Sequence, residues 1–171
     1  MSERVCNVLF LCTGNSARSI VAESLLNSLG KGRFKAFSAG SHPAGSVNPL
    51  VLQHLNALRV ETESARSKSW DEFAVADAPQ MDLVITVCDQ ASRESCPVWR
   101  GMPATAHWSA PDPAAAQGND PERVARVIRD VTQLMRRRIS LLVNLPVEKL
   151  DRLSLQSEAR AIAAKASLQA A

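Results

Sequence analysis

Tyrosine is absent from this chain, and other aromatic residues are scarce, with three tryptophans and four phenylalanines. Cysteine is sparse as well, at positions 6, 12, 88 and 96. Four thiols so widely spread are too few for a secreted disulfide scaffold. In a reducing compartment they are expected as free thiols, small buried residues or catalytic groups. No apolar stretch approaches the ~20 residues that a membrane span needs, and Met1 to Asn7 lacks the basic, apolar and small-residue pattern of a secretion signal. A soluble cytoplasmic protein without a membrane partner is the expectation. Strong charge of one sign is also missing. A net +3 suits an anionic substrate, whereas nucleic-acid binding would need more basic surface with interleaved aromatics.

The remaining composition, 46% hydrophobic and 22% charged over 171 residues, is that of a globular chain able to bury one core. Val5 to Leu11 is a near-continuous apolar run and reads as a strand buried on both faces. Ser19 to Leu29 has helical spacing on Ala22, Leu25, Leu26 and Leu29, with Gly30 as the stop. Lys35 to Ala39 predicts a strand, and Pro49 to Leu58 a helix with Asn48 as its N-cap. Asp82 to Val87 and Ala104 to Trp108 predict two more strands. Pro121 to Val143 is the clearest helix, with a stripe of Val124, Val127, Ile128, Val131, Leu134, Met135 and Leu142, ended by Pro146. Alternating strands and helices imply a parallel sheet with helices on both faces and ligands beyond the strands' carboxyl ends. Cys12 and Cys88 both fall at such ends. Residues 1–145 are expected as the catalytic domain. Residues 146–171, rich in alanine, are expected as a C-terminal helical extension of unknown role.

Between the first strand and first helix runs Cys12-Thr13-Gly14-Asn15-Ser16-Ala17-Arg18-Ser19. A tight loop feeding a helix N-terminus turns backbone N–H groups inward and adds the positive end of the helix dipole. Gly14, Ser16 and Ala17 are small enough to let the backbone close around an anion. Asn15 tolerates the positive φ that such a curl demands. Arg18 offers a planar fork for two oxyanion oxygens. A thiol at the head of the loop meets the same field, so Cys12 is expected as a thiolate nucleophile with Ser19 donating a hydrogen bond to it. The alternative is a structural cysteine beside a surface arginine. A Walker-type nucleotide loop is excluded, because no Gly-Lys-Ser/Thr follows.

These residues resemble the phosphate-binding loop of the low-molecular-weight protein tyrosine phosphatases and of the arsenate reductases that share their fold. The resemblance covers Val5 to Val143. It implies a three-layer α/β domain around a four-stranded parallel sheet. It also implies Thr13, Gly14, Asn15, Ser16, Ala17 and Arg18 as the oxyanion-binding residues. Asp112-Pro113 resembles the Asp-Pro pair of both branches and implies Asp112 as general acid, although Asp-Pro is also a common turn dipeptide. The phosphatases typically follow this pair with tyrosine, whereas here Ala114, Ala115 and Ala116 follow; the preceding His107-Trp108 is similar to the reductase pattern. Thr86-Val87-Cys88-Asp89 through Cys96-Pro97 resembles the reductase segment that carries two further thiols. The implied chemistry is attack of Cys12 on arsenate, attack of Cys88 on Cys12 with release of arsenite, and passage of the disulfide to Cys88–Cys96 for an external reductant. Cys88 lies eight positions before Cys96, one more than in the thioredoxin-coupled reductases. Thioredoxin and glutathione with glutaredoxin are therefore both open as reductants.

Some reductases of this kind bind potassium, and Asn15, Glu23, Ser38 and Asp71 stand at similar positions; no tightly bound cofactor is otherwise expected. Two rival readings remain: a phosphatase acting on phosphate monoesters, and a non-catalytic oxyanion-binding or thiol-sensing module. Cys6 reads as core. His42, His54 and His107 lack the paired spacing of zinc ligands. Arg136-Arg137-Arg138 reads as the solvated face of the long helix.

Overall fold

A computed structural model describes residues 4–89, 91, 99, 101–113 and 120–167. Its centre is the strand β1 (Cys6–Cys12), whose apolar side chains leave no face for water. β2 (Phe34–Gly40) lies on one side of it and β3 (Leu83–Thr86) on the other, with β4 (Ala104–His107) beyond β3. All neighbours run parallel, in the order β2-β1-β3-β4. Parallel strands need crossovers, and helices α1 (Arg18–Leu29), α2 (Pro49–Ala57) and α3 (Pro121–Val143) lie along the chain between and after them. Alternation along β1 divides the core. Val8 and Phe10 face the larger cluster under α1 and α3, while Leu9 and Leu11 meet Ala39, Met81, Val84 and Trp99 on the opposite face. There the short 3₁₀ helix Trp70–Phe73 packs its aromatic rings, with Phe73 against Phe37.

Helix ends follow capping chemistry. Asn48 and Asp120 accept backbone N–H groups of Leu50 and Glu122, and a proline occupies the first turn of each helix. The stripe of α3 is buried at Val124, Ile128, Val131, Leu134, Met135, Ile139 and Leu142. One reading of that helix needs correction: Arg138 does not join a solvated face but is 4% exposed. Its cause is a further helix, α4 (Arg152–Lys165), capped by Asp151. Leu155, Ala159 and Ile162 of α4 join the same core cluster. β4 is an edge strand, and α4 covers it with side chains. Thr105 N–H donates to Gln156 Oε1 at 3.0 Å, and Arg160 Nε donates to Thr105 O at 3.0 Å. An edge satisfied this way offers no free backbone groups at Thr105. Among the described residues no helix is long and apolar enough to cross a membrane.

Candidate active site

The first strand ends at Cys12, opposite Gly40 of β2. The chain then curls so tightly that a side chain at Gly40 would meet Thr13 O at 2.5 Å and Asn15 N at 3.0 Å, which only glycine avoids. Asn15 adopts φ +46 and is fully buried. Its amide bridges the curl, donating to Ser19 Oγ at 2.8 Å and accepting from Lys68 N–H at 2.9 Å. The loop's carbonyls are turned outward. Thr13 O, Gly14 O and Ser16 O accept from the N–H groups of His42, Ala44 and Asn48, each at 2.9 Å, and Ala17 O accepts from Val21. With its carbonyls held outside, the loop presents its N–H groups to the centre. No side chain caps α1 and its first turn carries no acid, so the positive end of the helix is left to the same space.

That space is a cleft of about 540 Å³ lined by Cys12, Thr13, Gly14, Ser16, Ala17, Arg18, Cys88, Asp89, Ala110 and Asp112. Arg18 reaches across it, with Nη1 3.4 Å from Ala110 O and Nη2 3.6 Å from Asp112 Oδ2. The structure thus brings together the residues expected from the loop, the acid and the first of the two later thiols. Cys96 lies outside the described residues.

The ionisation of the two thiols differs from the expectation of a lone Cys12 thiolate. Cys12 and Cys88 are both buried and share a hydrogen bond. That bond, then hydrogen bonds from Thr13 and the Ala91 N–H, with Arg18 nearby, pull Cys88 down to about 5. The same bond and burial push Cys12 up, against Arg18 and a hydrogen bond from Ser19. Two adjacent sulfurs that share one proton titrate as a unit: the first proton leaves easily and the second is held by the charge already present. The two shifts therefore run in opposite directions, Cys88 down and Cys12 up. Cys6, by contrast, is pushed up to about 12 by burial, followed by the charge of Asp82, and is inert.

Two groups near the site were given no role in it by the sequence. His107 spans the ends of β3 and β4, with Nδ1 2.8 Å from Thr86 Oγ1 and Nε2 3.0 Å from Asp89. It anchors the residue following Cys88. Lys68 is 6% exposed beneath the loop, its ammonium 3.0 Å from Arg66 O and 3.9 Å from the buried Glu23 carboxylate. Ser38 Oγ donates to the other Glu23 oxygen at 3.1 Å. Three of the four residues expected around potassium are therefore gathered, Asn15 through the Lys68 backbone. Asp71 is exposed on its 3₁₀ helix. The set is a poor fit to potassium, because a lysine ammonium already holds the carboxylate and the Asn15 oxygen is spent on the Lys68 N–H.

A nucleophilic thiol at a strand end, a curled anion-binding loop, an arginine from the following helix and an opposed aspartate define a class of enzymes that attack tetrahedral oxyanions through sulfur. Residues 7–151 match the low molecular weight phosphotyrosine protein phosphatase family, and the chain belongs to it. Among its relatives is an arsenate reductase of Halalkalibacterium halodurans, 34% identical over 125 residues that make up 72% of this chain and 86% of the other. Among solved structures, the arsenate reductase of Archaeoglobus fulgidus superposes with a TM-score of 0.57 at 28% identity, covering 78% of this chain and 98% of that one. A thioredoxin-dependent arsenate reductase of Corynebacterium glutamicum gives a TM-score of 0.55 at 26% identity, over 80% of this chain and 61% of that one.

Proposed function

We propose that this protein reduces arsenate to arsenite. The observation that carries the reading is the second thiol: Cys88 sits in the oxyanion cleft, hydrogen-bonded to Cys12 and Thr13. A phosphatase needs no such partner, since water hydrolyses its thioester-like intermediate. Arsenate is held by the inward N–H groups of Thr13 to Arg18 and by the Arg18 guanidinium, which leaves Asp112 as the anion enters. Cys12 passes its proton to Cys88 and attacks arsenic. Asp112 donates a proton to the departing oxygen, which leaves as water. Cys88 gives up its proton, which ends on the departing arsenite, and attacks the Cys12 sulfur. An S–S bond forms, the S–As bond breaks, and its electron pair stays on arsenic, which leaves as arsenite. Exchange with Cys96 then carries the disulfide to Cys88–Cys96, and an external dithiol reduces it. Thioredoxin is the first choice, on the strength of the Corynebacterium glutamicum relative; glutathione with glutaredoxin is the second. Such a cycle requires a reducing compartment, in keeping with a cytoplasmic enzyme. Because arsenate and phosphate are near-isosteric, weak hydrolysis of phosphate esters is expected alongside. Potassium would bind at Glu23 and Ser38 only in competition with Lys68.

The test is arsenite production by wild type and Cys88→Ser with thioredoxin and glutaredoxin systems offered in turn. Turnover by wild type with one system, and none by Cys88→Ser, is the expected result. No arsenite from either system, with equal hydrolysis of a phosphate ester by both proteins, would make Cys88 structural and the enzyme a phosphatase.

A further inference from the structure

Helix α4 follows the matched family region, which ends at residue 151. Yet its backbone is joined to the segment that carries Asp112. Trp108, fully buried at the exit of β4 and set against Phe10 at 6.0 Å, donates its indole N–H to Ala159 O of α4 at 2.9 Å. One residue further on, Ser109 O accepts from Arg138 Nη1 at 2.8 Å. The same guanidinium donates through Nε to Ala166 O, just past α4, at 3.0 Å. From the other side, the N–H groups of Trp108 and Ala110 donate to Thr86 O and Val87 O at 2.7 and 3.2 Å, and Arg18 reaches Ala110 O.

A buried arginine is costly unless its donors are satisfied, and desolvation draws Arg138 down to about 10. Its two named acceptors are backbone carbonyls of two separate segments, so the guanidinium is a fixed spacer between them. Neither α3 nor α4 lines the cleft; α3 also packs against α1, but this peptide is where Arg138 and α4 are hydrogen-bonded to the segment that carries Asp112.

We infer that Arg138 and α4 are positioning elements for Asp112: together they set the path of residues 108–110 and hence the reach of the acid across the cleft. This rests on the reading of Asp112 as the proton donor. The oxyanion is held by the loop and Arg18, and this peptide meets them only through the long 3.4 Å contact of Arg18 with Ala110 O, so loss of Arg138 should lower kcat much more than affinity.

The experiment is a double-mutant cycle on arsenite formation in the full chain, with inorganic phosphate affinity as the control. Asp112→Asn should cost roughly 100-fold or more in kcat, the range of a lost proton donor. Arg138→Met should cost about 10-fold in the wild-type background and under about 2-fold beside Asp112→Asn, because two groups in one chain of action are not additive. Phosphate affinity of Arg138→Met should stay within about 2-fold of its own background, as expected for a group that does not contact the anion. Equal losses from Arg138→Met with and without Asp112, or loss of phosphate affinity in step with kcat, would overturn the inference. Should Arg138→Met not fold, Arg138→Lys, which reaches one carbonyl, and Trp108→Phe, which drops the indole N–H together with part of the buried ring, carry the same cycle with the same criteria. If Asp112→Asn turns over like wild type, the acid assignment itself falls, and the inference with it.

Discussion

Replacing Cys12 by alanine should change the acidity of a different residue. Cys88 is held at about 5 first by its hydrogen bond from Cys12, with Thr13, the Ala91 N–H and Arg18 adding to it and burial opposing. A hydrogen bond to a charged group is worth about 1.5–3 kcal/mol, and one pKa unit is about 1.4 kcal/mol, so its loss should raise Cys88 by about one to two units. Measured in a Cys96→Ser background, the thiolate absorbance of the wild-type pair should rise once, with a midpoint of about 5. Cys12→Ala should move that midpoint to about 6–7. At pH 6 the pair would be roughly 90% ionised and the variant roughly 10–50%. Cys6, pushed up to about 12, stays silent over this range and serves as the internal blank. Alkylation rates, followed by mass spectrometry, should be flat with pH above the midpoint and should fall off below it. An unchanged midpoint in Cys12→Ala would refute the shared proton. So would two thiols ionising below pH 8 in the wild type.

Asn15→Ala should be more damaging than Asn15→Gly: both lose the bonds to Ser19 and Lys68, but only alanine must also hold φ +46, a difference of about 1 kcal/mol in urea unfolding. Gly40→Ala should weaken phosphate binding at least about tenfold by calorimetry, since the loop must open to clear a contact of 2.5 Å to Thr13 O. Lys68→Met concerns stability against pH. Burial already raises the Glu23 carboxyl above its ordinary value, Lys68 opposes this, and the variant removes that opposition. A raised folded value favours the protonated fold, a contribution present below the unfolded value and lost as pH climbs through the folded one. The variant should therefore melt close to wild type at low pH. In alkaline buffer it should lose about 3 kcal/mol, or roughly 6–12 °C. Potassium in place of a bulky inert cation should raise the melting temperature of this variant and leave wild type unmoved; no rise in the variant would remove the potassium site.

Strands, helices and the oxyanion loop were legible because each is written locally. The apolar run before Cys12 has strand character, and the stripe of α3 has helical period. Small residues and an arginine at a strand-to-helix junction need no distant partner to be read. What escaped the sequence is what distance creates. Lys68 reaches the loop from 53 positions away, and its burial cannot be inferred from its neighbours Arg66 and Ser67. Arg138 sits in a run of three arginines that spells a wet surface, and only the later helix across it makes it interior. The proton shared by Cys12 and Cys88 needs two strand ends to meet; each thiol alone suggests an ordinary buried cysteine or an independent thiolate. His107 holds Asp89, and that hold depends on β4 lying beside β3.

The side chains that cover the open edge of β4 arrive late in the making of the chain. Thr105 waits 51 positions for Gln156 and 55 for Arg160, and Trp108 waits 51 for the carbonyl at Ala159. During synthesis the parallel sheet can be complete while its last strand still displays bare amides and a large indole to the surroundings. Bare strand edges invite pairing with other chains, and nascent domains are most vulnerable while such surface is uncovered. For this protein the dangerous interval falls after the sheet has formed and before its final helix closes over it. Slow translation of residues 121–151 would lengthen that interval, and a chaperone that shields strand edges would be most useful then.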